Sequence, residues 1–241
     1  MTANNSVRNC LVTGANRGLG LALVHQLLAC GDRVTATCRH PGRATPLNTL
    51  AGEHPGRLHV LPLDVADPHA IAELVRELLL LGDDGDSDRI DLLVNCAGVL
   101  HSGERFGSVS AANLEDSLRT NAMGPFLLTQ ALASRLRDGA RVANISSELG
   151  SIGGLNRFGT PSYNISKAAQ NMATALLAVA LRARGIVVVA LHPGWVQTDM
   201  GGTGAAITPQ QSAEGLLRVI GGLKPSDSGR FLDWRGEPLP W

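Results

Sequence analysis

From one end to the other, the chain alternates short apolar runs with longer stretches of helical periodicity, a pattern few architectures accept. Asn9–Gly14 is apolar and closes on a turn residue, and Leu21–Cys30 follows with leucines at helical spacing. Further apolar runs read as strands at Gly31–Cys38, Arg57–Leu63, Ile90–Gly98 with a small-residue exit, Ala140–Ile145, Gly185–Leu191 and, briefly, Gly229–Asp233. Between them, helices are expected over Asp67–Leu81, with Asp67 as N-cap and Pro68 in the first turn, over Ala111–Arg137 as one long helix, from Tyr163 onward, and over Thr208–Ile220. Residues 40–56, rich in Pro, Gly and Thr, read as a loop with one brief helix at most. Strands alternating with helices demand a parallel sheet covered on both faces. The expectation is an α/β, doubly wound sheet of about seven strands, forming one domain over residues 1–241.

The first strand leads into Thr13-Gly14-Ala15-Asn16-Arg17-Gly18-Leu19-Gly20 and then directly into a helix. Glycines there let the backbone approach a pyrophosphate, and the helix start offers it unpaired N–H groups and the positive end of a dipole. Such a triplet can also mark an ordinary tight turn, but placed between strand and helix it makes the sheet Rossmann-type and predicts dinucleotide binding. In such folds an acidic residue near the end of the second strand takes the ribose 2′-OH of NAD, whereas an arginine accommodates the 2′-phosphate of NADP. Here Cys38 is followed by Arg39, and Arg17 in the glycine loop could reach the same phosphate, so NADP(H) is favoured over NAD(H). The alternative is two surface arginines without a role.

The second chemical signal is Tyr163-Asn-Ile-Ser-Lys167. Tyr163 is the one tyrosine of the chain and Lys167 one of two lysines, the other being Lys224. Four residues apart on a helix, the two share a face. A phenol near pKa 10 needs a nearby positive charge to work as an acid or base at neutral pH, and a lysine one turn away supplies it. A compact ammonium can also reach a ligand hydroxyl, which the planar fork of arginine does less well. A buried tyrosine beside a surface lysine is the plainer account. Ser146 and Ser147 end the fifth strand, at the edge where open α/β sheets bind ligands. Asn121, with Gly124-Pro125 behind it, interrupts a helix in a way that hints at a site or a simple kink.

Charge and composition narrow the partners. With 21 acidic and 21 basic residues and no basic run, neither nucleic acid nor an anionic membrane is expected as a partner. The four cysteines form no metal or disulfide pattern, no metal site is expected, and Gly82–Arg89 reads as a solvated acidic turn. The opening residues hold no apolar signal segment, and no run is long enough to span a bilayer, so a cytoplasmic protein is expected.

With the glycine loop, Asn95-Cys96-Ala97-Gly98, Asn121, Ser147, Tyr163 and Lys167 in that order, the chain resembles the short-chain dehydrogenases/reductases from end to end. Asn16-Arg-Gly-Leu-Gly-Leu, Ser146-Ser-Glu-Leu-Gly-Ser-Ile, Ser166-Lys-Ala-Ala-Gln-Asn-Met, His192-Pro-Gly-Trp-Val-Gln-Thr-Asp-Met and Ser228-Gly-Arg-Phe-Leu-Asp resemble in particular the C-factor and sniffer-type carbonyl reductase branch. The resemblance implies reduction of a ketone, aldehyde or quinone to an alcohol. Tyr163 would protonate the carbonyl oxygen, Ser147 would hydrogen-bond it, Lys167 would lower the Tyr163 pKa and bind the nicotinamide ribose, and Asn121 would hold a relay water. Bringing the phenol from about 10 to about 7 takes about 4 kcal/mol, so the site would be partly dry. Gly14, Asn16, Arg17, Gly18, Leu19 and Gly20 would cradle the cofactor, with Arg39 at its 2′-phosphate and Asp64 and Val65 at its adenine. Asn95, Ala97 and Gly98 would meet its middle, and Pro193, Gly194, Val196 and Thr198 its nicotinamide side.

The substrate pocket would fall on residues 148–160, with Leu149, His101 and Trp195, and on a substrate loop at about 195–210, mobile over 201–209, where 201–206 reads as flexible. Two departures stand out: Cys96 takes the place of the usual second asparagine, and Ser147 lies sixteen residues before Tyr163, leaving Ser151 as a possible substitute. The resemblance also implies a homodimer or homotetramer through the alanine-rich Tyr163 helix. A nucleotide-bound signalling or regulatory protein of C-factor type is the alternative function. A sugar-nucleotide epimerase is disfavoured, because too little chain follows the sixth strand for a separate substrate domain.

Overall fold

The computed structural model describes residues 7–81 and 89–241. Seven strands, β1 (Asn9–Thr13), β2 (Arg33–Cys38), β3 (Leu58–Pro62), β4 (Ile90–Asn95), β5 (Leu136–Ile145), β6 (Val187–His192) and β7 (Phe231–Asp233), form one parallel sheet in the order β3-β2-β1-β4-β5-β6-β7. Helices α1 (Gly18–Ala29), α2 (Thr45–Glu53), α3 (Pro68–Leu81), α4 (Ala111–Leu118), α5 (Gly124–Ala131), α6 (Pro161–Leu181) and α7 (Pro209–Gly222) connect them. This is the doubly wound α/β sheet that the alternating pattern predicts.

Strand side chains alternate between faces, and the sequence fills both with apolar residues. Val12, Val94, Ala143 and Val189 pack under α1, α2 and α7, meeting Leu23, Leu27, Leu47 and Leu216. Their neighbours Leu11, Leu93, Val142 and Val188 face the other way, against Leu74, Leu128, Leu177 and Leu181 of α3, α5 and α6. Burying each of these valines and leucines contributes about 1.5–3 kcal/mol relative to leaving it exposed.

Three expectations about local structure change. The long helix over Ala111–Arg137 is instead α4, a π-helical turn at Arg119–Met123, and α5, which stops at Ala131. Pro125 lacks an N–H and opens α5, and Leu136, fully buried, already pairs with Ile90 as the start of β5. Residues 40–56 hold more structure than a loop: a 3-10 turn at Pro41–Arg43 and the nine-residue α2, which buries Leu47 and Leu50 on one face. The acidic turn Gly82–Arg89 lies outside the described residues except for Arg89. Elsewhere the caps follow the reading, with the Asp67 carboxylate accepting from the amide of His69 (2.9 Å) and a Thr208/Gln211 capping box starting α7.

Because β1 and β4 are neighbours while β2 and β3 lie on the far side of β1, the chain reverses direction at that pair. A crevice opens there beyond the carboxyl ends of the strands, where open sheets of this kind bind ligands.

Candidate active site

A cavity of about 670 Å³ occupies that crevice. Its floor is the turn after β1, held to the exit of β4 because Thr13 Oγ1 accepts from the amides of Cys96 (3.0 Å) and Ala97 (3.1 Å). Gly14 has φ +64° and a side chain there would come within 2.7 Å of the Ala97 Cα, so glycine is required on both counts. A Cβ on Gly20 would run into the Gly14 carbonyl in the same way. Asn16, Arg17, Gly18 and Leu19 complete this rim, and α1 begins there with no side-chain cap on its first amides.

Of the other residues expected at a cofactor, Arg39, Asp64, Val65, Ala97, Gly98, Val196 and Thr198 line the cavity together with Tyr163 and Lys167. Asn95, Pro193 and Gly194 do not. Asn95 is buried in the core, where its amide donates to Thr129 Oγ1 (3.2 Å) and Asn144 Oδ1 (2.8 Å) and ties β4 to β5 and α5. The Pro193 carbonyl accepts from Ser212 Oγ (2.6 Å), and Gly194, at φ +81°, packs on Ile207 and Trp234. These two turn the chain so that Val196 and Thr198 reach the cavity.

Arg17 and Arg39 both border the cavity but do not stand in the same state. Arg17 Nη1 donates to the Asp199 carboxylate, a residue the sequence reading passed over. Arg39 has no ion-pair partner among the described residues, and His40 and Arg43 stand beside it in the cavity wall. The only signal for Arg43 and His40 was their closeness in sequence to Arg39.

Tyr163 sits one turn into α6 and is 8% exposed; Lys167 is 3% exposed. Burial pushes the phenol up to about 12, and a side-chain interaction with Ser147 is what pulls against that rise. Lys167 was expected to lower the phenol. Instead, its Nζ lies 5.6 Å from the ring centroid and donates to the Ile145 carbonyl (2.7 Å) and to Gln170 Oε1 (2.9 Å). Burial also brings the lysine down to about 8, with the Cys96 thiol opposing. Cys96 is itself pushed up to about 12 by burial, so at neutral pH it is a packed, neutral thiol.

Of the three candidate serines, Ser147 is the one that acts on Tyr163. The Ser146 hydroxyl donates to Asn171 Oδ1 (2.6 Å) on the packed side of α6, and Ser151 Oγ accepts from the Gly154 amide (2.9 Å). Ser147 Oγ accepts from the Leu149 amide (3.2 Å), which fixes the turn that presents it.

Asn121 lies in the π-helical turn, fully buried. Its Oδ1 accepts from the Val99 amide (2.8 Å), while Nδ2 donates to the Val99 carbonyl and to Ser166 Oγ (2.9 Å each). Both amide hydrogens are therefore used in joining the exit of β4 to α6, and the side chain has none left to donate to a relay water. Such turns recur where a helix is bent at a functional site.

Of the expected substrate residues, His101, Leu149 and Trp195 lie outside the cavity wall, whereas Met200, Pro209 and Gln210 of the expected substrate loop line it. His101 Nε2 pairs with Asp116 Oδ2 (2.8 Å), Leu149 belongs to the Ser147 turn, and Trp195 is exposed with Nε1 donating to the Gly201 carbonyl (2.8 Å). Nor does the stretch 201–206 hang free: the Gln197 amide donates to Ile207 O (2.8 Å) and its side chain to Ala205 O (3.0 Å), and a parallel bridge between Val196 and Ile207 closes the loop. Among the described residues, no helix is long and apolar enough to cross a membrane.

A glycine-cradled cavity at the strand ends, with a buried Tyr/Lys pair and a serine beside it, defines a dinucleotide-linked oxidoreductase. Residues 8–206 match the short chain dehydrogenase family model, and the chain belongs to that family. It is 45% identical to C-signal of Myxococcus xanthus over 154 residues, which is 63% of this chain and 93% of that one. It is 33% identical to 1-hydroxy-2-glutathionyl-2-methyl-3-butene dehydrogenase of Rhodococcus sp. (strain AD45), covering 96% of this chain and 98% of that one. Two solved structures are similar over 98% of the chain. Carbonyl reductase Sniffer of D. melanogaster has a TM-score of 0.92 at 34% identity and is covered over 100% of its length. The NADPH-bound carbonyl reductase from chicken fatty liver has a TM-score of 0.89 at 40% identity and is covered over 99%. These relatives support the sniffer and C-factor branch expected from the sequence.

Proposed function

We propose that the chain is an NADP(H)-dependent carbonyl reductase, converting a ketone, aldehyde or quinone to an alcohol with Tyr163 as general acid. The observation that carries this reading is the presence of Tyr163 and Lys167, both buried, on the wall of the same cavity as the glycine cradle. The residues present fit the nucleotide. The cradle leaves no room for a side chain at Gly14 or Gly20, and the far wall offers the guanidiniums of Arg39 and Arg43 to a 2′-phosphate. NADPH, when bound, supplies the hydride.

The protein's own residues supply the proton and the charge stabilisation. A phenol raised to about 12 is protonated at neutral pH, so Tyr163 Oη carries the proton that the carbonyl oxygen takes. Ser147 stabilises the oxygen as its charge grows. Lys167, held 5.6 Å from the ring centroid, lines the same cavity and would meet the nicotinamide ribose there. On α6, Ile165, Met172, Leu176 and Val179 form an exposed apolar stripe, which supports a homodimer or homotetramer through this helix. Four free cysteines support a cytoplasmic setting, with the small carbonyl compound as its partner.

The similarity to C-signal favours a second reading, a nucleotide-bound signalling protein. The test is NADPH and NADH oxidation against a panel of ketones, aldehydes and quinones, with Tyr163→Phe alongside. NADPH consumption lost in the Phe variant supports the reductase. NADPH binding without turnover of any carbonyl would move the conclusion to the signalling role.

A further inference from the structure

We propose that Gln170 is a positioning residue for Lys167: with the Ile145 carbonyl, its amide oxygen fixes the ammonium so that the remaining N–H is presented to the nucleotide cavity. Gln170 follows Lys167 by three residues on α6, on the same buried face, and is fully buried. An ammonium has three N–H donors. Two are taken, by Ile145 O at 2.7 Å and Gln170 Oε1 at 2.9 Å, and tetrahedral geometry then dictates where the third points. Lys167 lines the cavity, and a Cβ added at Gly98 in the cavity wall would stand 3.9 Å from Nζ.

The amide's orientation carries its own information. Gln170 Nε2 is buried without a hydrogen-bond partner among the described residues, a costly state for a donor. Turning the amide over would place Nε2 against the ammonium, donor against donor, so the charge on Lys167 holds Oε1 where it is. The turn that bears Gln170 is itself anchored. Thr174 Oγ1 donates to the Gln170 carbonyl (2.9 Å) and accepts from Asn144 Nδ2 (2.8 Å), and Asn144 is bonded in turn to Asn95 across the sheet. The buried asparagine of β4 thus serves the site at second hand, by steadying what holds the lysine. The titratable groups facing the ammonium are Tyr163, on the same helix, and Cys96, at the exit of β4; both stay neutral until about 12.

This inference rests on Lys167 meeting the nucleotide, as the proposed function requires, but its test does not need a substrate. NADPH binding, followed by the nucleotide's fluorescence from about pH 6 to about pH 10, would be compared in the wild type, Gln170→Met and Gln170→Glu, with melting temperatures alongside. In the wild type the affinity falls as pH rises through about 8, where the ammonium is lost. Removing the acceptor in Gln170→Met disfavours the ammonium and moves that fall about one pH unit lower. A carboxylate in Gln170→Glu favours the ammonium and moves it about one unit higher. Limbs that coincide, or that move the same way in both variants, would overturn the proposal, as would a wild type that does not bind NADPH. Opposite shifts with no carbonyl ever turned over would leave Gln170 in its role and remove the reductase reading. Active reduction with coincident limbs would do the reverse.

Discussion

Arg17 and Asp199 stand 182 residues apart in the chain and form an ion pair on the wall of the cavity at the strand ends. The pair straps the glycine loop to the segment that follows β6, and it occupies a guanidinium expected to serve a phosphate. With side chains 66% and 76% exposed, the pair is worth only about 0.2–1 kcal/mol, so a phosphate can compete for Arg17. Asp199→Asn frees the guanidinium and removes a negative charge, and NADPH affinity is expected to tighten by up to about fivefold. The gain should shrink in high salt, as screening requires. Titration at two ionic strengths checks this, and weaker binding in the variant would show that the strap helps hold the nucleotide.

Ser147→Ala removes the group that acts against the burial of the Tyr163 phenol. Loss of one well-placed donor to a developing oxyanion costs about a hundredfold in kcat. NADPH affinity is expected to be unchanged, since Ser147 does not line the nucleotide cavity. Steady-state kinetics beside a binding titration separates the two effects. If the variant kept full kcat, one of the neighbouring serines would have to be doing the work.

Lys167 is brought down from 10.5 to about 8 by burial, so between those values the unfolded chain holds a proton that the folded chain has lost. Stability contributed by this group therefore rises with pH through that window. Tyr163 and Cys96, both raised by burial, act in the opposite sense at higher pH, so the lysine is best isolated by difference. Wild-type stability minus that of Lys167→Met is expected to grow by up to about 3 kcal/mol between pH 8 and 10.5. Urea unfolding at several pH values measures it, and a flat difference would mean that the lysine is solvated rather than buried.

The start of the Tyr163 helix is capped from elsewhere in the chain. Thr160, at φ +42°, makes no side-chain cap bond, and Glu104 takes its place, accepting from the Ser162 amide (3.1 Å) and hydroxyl (2.6 Å). Burial acts to raise the Glu104 pKa, but these bonds outweigh it and hold the carboxyl below its ordinary 4.5. Its contribution is thus complete above pH 4.5 and fades as pH falls through the lowered value. Glu104→Ala is expected to cost about 1 kcal/mol at neutral pH, as losing a cap does, and Glu104→Gln less, because it keeps an acceptor. Denaturant melts of both variants test the ranking. Equal stability for all three proteins would leave Ser162 capped by solvent.

Much of the site could be read along the chain because its parts are local. The glycine cradle is one turn between a strand and a helix, Tyr163 and Lys167 are one turn apart, and Arg39 directly follows the strand beside the cradle. Where the reading strayed, the deciding contact was distant. Asn95 resembles a cofactor ligand in sequence, yet Asn144 and Thr129, 49 and 34 residues away, claim its amide. The helix expected over Ala111–Arg137 ends early because Leu136 finds Ile90 in the sheet, a pairing that helical propensity cannot register. Gln170 went unnoticed since nothing in its neighbours marks it as a partner of Lys167.

By itself, the sequence determined the class of fold and the place of the chemistry: alternating strands and helices of this apolarity have few ways to bury themselves, and i,i+4 spacing fixes which side chains share a helix face. What the tertiary structure alone decided is the electrostatic state of the site. The phenol near 12 and the lysine near 8 come from burial, and the Arg17–Asp199 pair comes from chain segments meeting across the crevice. Desolvation and charge pairing depend on distances in space, and those exist only once the sheet has brought the ends of β1, β4, β5 and β6 to one edge.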